Sequence, residues 1–512
     1  MSSNISSKST IAKNTTLLYA RTVLIMIVTL YTSRVILQAL GVEDYGVYTA
    51  IGGIIAFLSM VTGPIDSAIS RFLTFELGRG DKDRLSRYFS TGLTTMIIFS
   101  VLSVIILETA GIWFLNNKMV IDESRVEAAN WVLHLSIAAF VVNLISAPYR
   151  ATIIAHEKMA LFAYMGILDA VLKLAVASIL LKSPFDKLIL YAALLLAVSI
   201  LVRFIYTIIC NRQFEECRTV KIGLDSDLFK GLFSFAGWNV FGAVASFCRG
   251  QGVNILFNLF GGPVVNAAYG IANQVNTAVV GFVGNFTTAL NPAIIKSYSA
   301  GEKQYMMSLV YQGARFSFFL VLFFALPLIL EAEFVTRLWL GQTPDFSVAF
   351  IQLMLIYSLI ESLSKTIMAG VHASGKIRGY QLVIGCFQVI ILPIAYILLR
   401  IGYSPVVVIQ AMVFVDIIAV YARALLAKNI FGLSFQAFWT KVIARIILVV
   451  SFALPVPLLL HIYMPKSIVR FALVIIVSLI TTACSTIFVG CTLNERTMLL
   501  SKIRNIIYHV LK

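Results

Sequence analysis

From Thr15 to Ala39 the chain reads TTLLYARTVLIMIVTLYTSRVILQA, and the length of this run decides the fold. A helix needs roughly 20 largely apolar residues to cross a bilayer, whereas a barrel strand needs about ten. Backbone amides cannot go unpaired in hydrocarbon, so a run of this length is a helix. It exceeds the roughly 7 to 15 apolar residues of a signal-peptide core and has no small-x-small cleavage site behind it, so it is expected to stay as the first span.

The same signature recurs along the chain. Apolar runs predict further helices near 47–75, 88–114, 126–149, 160–181 and 188–210, then, after a polar connector from Asn211 to Leu228, near 229–258, 264–292, 307–330, 348–370, 380–399, 405–427, 440–462 and 468–490. With 59% hydrophobic residues, 12% charged and a mean hydropathy of +0.91, the 512 residues leave no room for a soluble domain. The expected fold is therefore an all-α integral membrane protein of about 14 spans. The division expected is a six-helix lobe over 1–213, a second over 214–430, and an accessory helix pair with a cytoplasmic tail over 431–512.

Basic residues set the orientation. The terminal and even-numbered breaks between spans hold 22 Lys and Arg, and the odd-numbered breaks hold 7. Basic loops stay in the cytoplasm, so both termini are expected there. Topology and anionic headgroups account for most of the formal charge of +16, and nucleic acid is a poor reading of it because the basic segments are short and carry no stacking platform. The six cysteines lack C-x-x-C spacing and the five histidines are scattered, so neither a metal nor any cofactor is implied.

Transporters are commonly built from structural repeats, and the two halves share features in order. Tyr45-Gly46-Val47 matches Tyr269-Gly270-Ile271 at an offset of 224. Gly80-Asp81-Lys82 matches Gly301-Glu302-Lys303 at 221, as Gly92 matches Gly313, and Ala155-His156-Glu157-Lys158 matches Ala373-Ser374-Gly375-Lys376 at 218. The competing reading is that glycine and lysine mark any cytoplasmic turn. A true repeat of spans one to six in seven to twelve is parallel, about an axis along the membrane normal, with a central cavity between the halves.

The join Arg34-Val-Ile-Leu-Gln-Ala-Leu-Gly41-Val-Glu-Asp-Tyr45-Gly46-Val-Tyr48 resembles the bacterial polysaccharide flippase family of the O-antigen type, as do Leu77-Gly78-Arg79-Gly80-Asp81 and Leu338-Trp339-Leu340-Gly341. That family shares a superfamily with the multidrug and toxic-compound extruders and the lipid II flippases. The resemblance implies two six-helix lobes, alternating access, and passage of an undecaprenyl-pyrophosphate-linked oligosaccharide across the bacterial cytoplasmic membrane for lipopolysaccharide or capsule assembly. Other membrane proteins of polysaccharide assembly would be partners.

A charge at mid-membrane costs roughly 2.5 to 3.5 kcal/mol on insertion scales, so deep charges should face a wet cavity or a partner. Eleven basic residues fall in spans. Arg21, Arg203, Arg423, Arg445 and Arg470 lie near span ends and are expected to snorkel to the headgroups. Arg249, with no acid nearby in sequence and with Gln251 and Asn254 beside it, is the foremost cavity cation. Arg34, Arg71, Lys173 and Lys365 are further substrate-binding candidates, as are Asn273 and Asn276 on the amide-rich eighth span. Asp169 and Lys173, and Glu361 and Lys365, sit four apart and can neutralise one another. Asp66, Asp169, Glu361 and Asp416 are the ion-coupling candidates.

Basic residues outnumber acidic ones in the spans by 11 to 6, which favours an anionic substrate over the cationic drugs of a cation-coupled multidrug extruder. Guanidinium forks match pyrophosphate oxygens bidentately, and amides and hydroxyls suit sugars. A membrane polymerase or ligase is disfavoured because the longest outer break, 331–347, is short and no loop holds a nucleophile elbow, phosphate loop or carboxylate pair. The expectation is a transporter, not an enzyme.

Overall fold

The computed structural model describes residues 8–118, 122–218, 223, 225–340 and 344–497; Gly341 and the tail after residue 497 lie outside them. Every regular element among the described residues is helical. In chain order the longer ones are α1 (Lys8–Arg79), α2 (Lys82–Asn117), α3 (Glu123–Ala155), α4 (Met159–Lys182), α5 (Lys187–Gln213), α6 (Ser226–Ser299), α7 (Lys303–Leu330), α8 (Ser347–Ser374), α9 (Arg378–Arg400), α10 (Pro405–Phe431), α11 (Phe435–Tyr463) and α12 (Ile468–Gly490). Thirteen stretches among the described residues are long and apolar enough to cross a membrane. The expected second span, 47–75, is the later arm of α1; it is helical but not among the thirteen, and several of its side chains are not described.

Two of these rods are double. Helix α1 breaks at Gly41 (φ 78°, ψ 173°) and α6 breaks at Gly262 (φ 71°, ψ −171°). A side chain at such a φ collides with its own backbone, so glycine is what lets one span turn straight into the next. The two breaks are 221 residues apart, the offset at which the sequence halves align. The same offset relates the helix ends at Gly80 and Gly301: Asp81 N donates to Glu76 O at 3.3 Å and Glu302 N to Ser297 O at 2.9 Å, with both glycines left-handed. It also relates two close packings, since a Cβ on Gly92 would meet Ile69 and one on Gly313 would meet Leu290. At the offset of 218, Glu157 (φ 58°) and Gly375 (φ 75°) both turn left-handed. Turn glycines alone would not reproduce packing partners at one offset, so the local backbone repeats as the sequence does.

Side-chain caps fix where helices start. Asp81, Asp186, Asp225, Ser404 and Ser467 each accept a backbone N–H at the helix that follows. Outside the spans, the hydrogen bond from Arg87 and the amide of Leu228 hold the Asp225 carboxyl below its ordinary value, which keeps this cap charged.

The chain separates into two compact units, Met1–Ala243 with Ile295–Glu302, and Val244–Ile294 with Lys303–Lys512. Two of the cuts fall inside α6 and the third at the turn before α7, and α11 and α12 belong to the second unit. In the first unit a buried cluster on α1, α3, α4 and α5 includes Ile36, Ile51, Val132, Leu133, Ala177 and Leu188. In the second, Phe257 and Phe350 stack with centroids 5.3 Å apart. Large apolar side chains such as Val101, Ile105, Ile447 and Phe452 are exposed, as a lipid-facing surface requires.

Candidate functional site

Each unit brings three cations and two carboxylates of its spans together. In the first unit, α1, α3, α4 and α5 surround a cavity of about 320 Å³. Arg21 enters from the early arm of α1, Asp66 and Ser70 from its later arm, Asn143 and Arg150 from α3, Asp169 and Lys173 from α4, and Ser199 and Tyr206 from α5. Lys173 Nζ donates to Asp169 at 2.8 Å, the pair the i,i+4 spacing predicts, and Arg150 reaches Asp66 at 3.5 Å. Arg21 lies over the Phe162 ring at 4.6 Å, and it can do so because position 166 is glycine: a Cβ there would sit 2.3 Å from the Arg21 Nε. Arg21 Nε and Asp66 Oδ1 are buried without a hydrogen-bond partner. Three cations and two carboxylates thus face one hydroxyl- and amide-lined hollow with one positive charge in excess.

The second unit carries the same inventory, packed around the buried Tyr357 and Tyr380. Arg249, on the early arm of α6, donates to the Tyr357 hydroxyl and lies 5.1 Å from that ring's centre. The acid that Arg249 lacks in sequence arrives from α8 as Glu361, whose carboxylate interacts with Lys365, Arg249 and Arg423. Lys365 donates to Glu361 at 2.8 Å, and Arg423 lies 3.7 Å from Asp416, with Tyr380 buried beside them.

The remaining candidates separate from these clusters. Arg71 is buried in the first unit among the rings of Phe72, Phe75 and Phe235, at 4.4 to 5.3 Å, and does not line the cavity. Arg34 is exposed. Asn276 accepts from Ser358 and Asn273 bonds the Tyr269 hydroxyl, so these amides tie α6 to α8 and to itself, while Asn254 is half-buried.

Three arginines expected to snorkel do not. Arg21 points into the cavity, Arg423 is buried on Asp416, and Arg470 is buried with its Nη2 2.9 Å from Glu331, because depth along a span does not say which way a side chain faces. Arg150 was expected in a connector because the apolar run stops at Tyr149. The helix continues to Ala155 and keeps Arg150 on its inner face.

This fold has solved counterparts, whose likeness at low identity is one of fold alone. A multidrug resistance MATE family transporter of the MOP superfamily, in its outward-facing conformation, aligns with a TM-score of 0.68 and 12% identity over 84% of this chain and 97% of its own. A MOP superfamily transporter from Pyrococcus furiosus, described as having a binding pocket of reversed polarity, aligns at 0.70 and 12% over 84% of this chain and 96% of its own. The chain has the fold of the membrane transporters of the MOP superfamily. Within that class it belongs to the family described as "Polysaccharide biosynthesis protein", whose pattern matches residues 11–298. The "Uncharacterized membrane protein EpsK" of Bacillus subtilis (strain 168) is 21% identical over 319 residues, a match spanning 61% of this chain and 61% of that relative.

Proposed function

We propose that the protein is a flippase that carries a polyprenyl-pyrophosphate-linked oligosaccharide across the bacterial cytoplasmic membrane by alternating access, for surface polysaccharide assembly, with both termini cytoplasmic. The observation that carries this reading is the cavity of the first unit, cationic in excess and lined by four hydroxyls and the Asn143 amide. At about 320 Å³ it lies at the small end of ligand sites, the size of a diphosphate with an adjoining sugar and too small for a whole oligosaccharide. Asp66 and Asp169 hold Arg150 and Lys173. An entering pyrophosphate offers those cations more oxygens at higher charge, so they exchange carboxylate for phosphate and leave the two half-exposed carboxylates to water. The polyprenyl chain stays in lipid. Asn254, Asn273, Asn276, Arg249 and Lys365 serve the second unit's frame in this reading, and Arg34 and Arg71 act outside the cavity.

The second reading, a cation-coupled multidrug extruder, draws on the MATE likeness and on Asp66, whose partnerless oxygen could take a proton. One experiment separates the two: complementation of a flippase-null strain, read as surface polysaccharide per unit of membrane-inserted protein, beside drug-efflux assays. Under the flippase reading Arg150→Ala loses polysaccharide at normal abundance and no drug is exported. Drug efflux that survives Arg150→Ala and is lost in Asp66→Asn would support the extruder.

A further inference from the structure

The ends of α11 and α12 that meet α7 carry a second concentration of charge, outside both clusters. Helix α11 contains a π-turn at Trp439–Ile443, and α12 closes in another at Thr486–Gly490. A π-turn breaks the regular hydrogen-bond ladder, and here arginines take carbonyls of the second one. Arg445 Nη1 donates to Gly490 O at 3.3 Å, Arg496 Nε donates to Ile487 O at 3.3 Å, and Arg496 Nη2 donates to Phe488 O. These acceptors are neutral, so they fix the two side chains without discharging them.

The carboxylate at this place, Glu495, is already committed. Arg315 Nη2 binds both its oxygens at 2.7 Å, and Arg315 Nη1 donates to the Lys441 carbonyl at 3.2 Å. Arg315 and Glu495 are both buried, and Arg315 Nε has no hydrogen-bond partner. Lys441, exposed, reaches over the Tyr311 ring at 5.9 Å. Among the described residues, four cations therefore gather at the ends of α11 and α12 beside one carboxylate, which Arg315 already holds. Their level is that of a membrane boundary: both spans end here, Trp439 and Phe488 are exposed beside the charges, and Ile447 further along α11 is exposed to lipid.

We infer that Lys441, Arg445 and Arg496, set around the Arg315–Glu495 pair, form a binding site for the phosphate headgroup of an anionic phospholipid, of which phosphatidylglycerol is the type. The three excess charges supply the counter-ion demand, the π-turn fixes two of them in place, and the exposed apolar flank of α11 takes the acyl chains. Basic residues near a membrane surface add about a factor of five each to anionic-lipid binding.

Native mass spectrometry of the purified full chain, titrated with phosphatidylglycerol or phosphatidylethanolamine, tests this. The wild type should hold one phosphatidylglycerol more tightly than any phosphatidylethanolamine, and Lys441→Gln/Arg445→Gln should weaken that molecule about 25-fold. Lys441→Gln alone removes an exposed side chain and strands no buried group; it carries the test if the double variant does not fold, with about a fivefold loss expected. Equal phosphatidylglycerol binding by wild type and Lys441→Gln, or equal binding of the two lipids by the wild type, would overturn the site. Displacement of phosphatidylglycerol by inorganic phosphate at matched concentration would assign it to a soluble phosphate species and overturn the lipid reading.

Discussion

Arg21, Arg150 and Lys173 face Asp66 and Asp169 in the first unit; Arg249, Lys365 and Arg423 accompany Glu361 and Asp416 in the second. The inventories are equal, and the second-unit residue at the repeat offset from Asn143 is Glu361 itself. What differs is the filling. Tyr357 and Tyr380 are buried among the second set, and Arg249 spends its guanidinium on a phenol. In the first set a hollow remains, whereas guanidinium nitrogens and a carboxylate oxygen without hydrogen-bond partners occur in both sets. A charge count therefore does not locate a binding site. Packing decides whether buried charges serve the fold or stay available to a ligand.

The sharpest way to break this contrast is to remove one charge from the filled cluster. Arg423→Ala leaves Asp416 buried without its nearest cation, a loss on the order of 3–5 kcal/mol for a broken buried pair. Membrane-inserted protein, measured by quantitative immunoblot of washed membranes, should fall severely and recover in Arg423→Gln/Asp416→Asn. Normal abundance of Arg423→Ala would mean that the second cluster is as open as the first.

The complementary experiment spares the fold. Arg150→Ala/Lys173→Ala leaves Asp66 and Asp169 beside a hollow that admits water, so abundance should stay within about twofold of wild type. Surface polysaccharide per unit protein should drop about 100-fold, or roughly 2.8 kcal/mol at about 1.4 kcal/mol per tenfold. A parallel loss of protein and polysaccharide would make this cluster structural too.

A smaller effect tests whether the backbones on which the clusters stand are alike. Gly41→Ala and Gly262→Ala each force a side chain into a left-handed φ, at about 1–2 kcal/mol. The two should lower the thermal midpoint of the detergent-solubilised protein by similar amounts. A large difference would show that the two double rods, though 221 residues apart and both broken at a left-handed φ, are differently constrained.

How much of this was legible beforehand follows from what hydropathy measures. Apolar runs gave the helices, because bilayer thickness fixes span length. The pairs Asp169–Lys173 and Glu361–Lys365 were legible because spacing along a helix fixes the face. Arg21, Arg423 and Arg470 were misassigned because nearness to a span end says nothing of direction, and Gly166, whose missing Cβ admits Arg21, gives no signal until α1 and α4 are packed. Arg150 was hidden by a helix that outlasts its apolar run by about a turn and a half. Tyr357, which occupies Arg249, comes from a helix more than 100 residues away in sequence.

The finest test exchanges one residue between the clusters. Asn143→Glu gives the first unit the residue that the repeat offset places at Glu361, on a side chain exposed to the cavity and so with little effect on packing. The added carboxylate cancels the single excess positive charge. In a partly hydrated cavity its repulsion of a phosphate is on the order of 1 kcal/mol, between the limits for water and for a protein surface. Transport at limiting substrate should fall about fivefold, with abundance unchanged, whereas Asn143→Gln, equal in size and neutral, should transport normally. If Asn143→Glu instead raised export of a cationic dye, the cavity would be selecting cations, and the first cluster would belong to the extruder reading. If both variants lost activity equally, the amide and not the charge would be what position 143 contributes, through its 3.5 Å contact with Ser199.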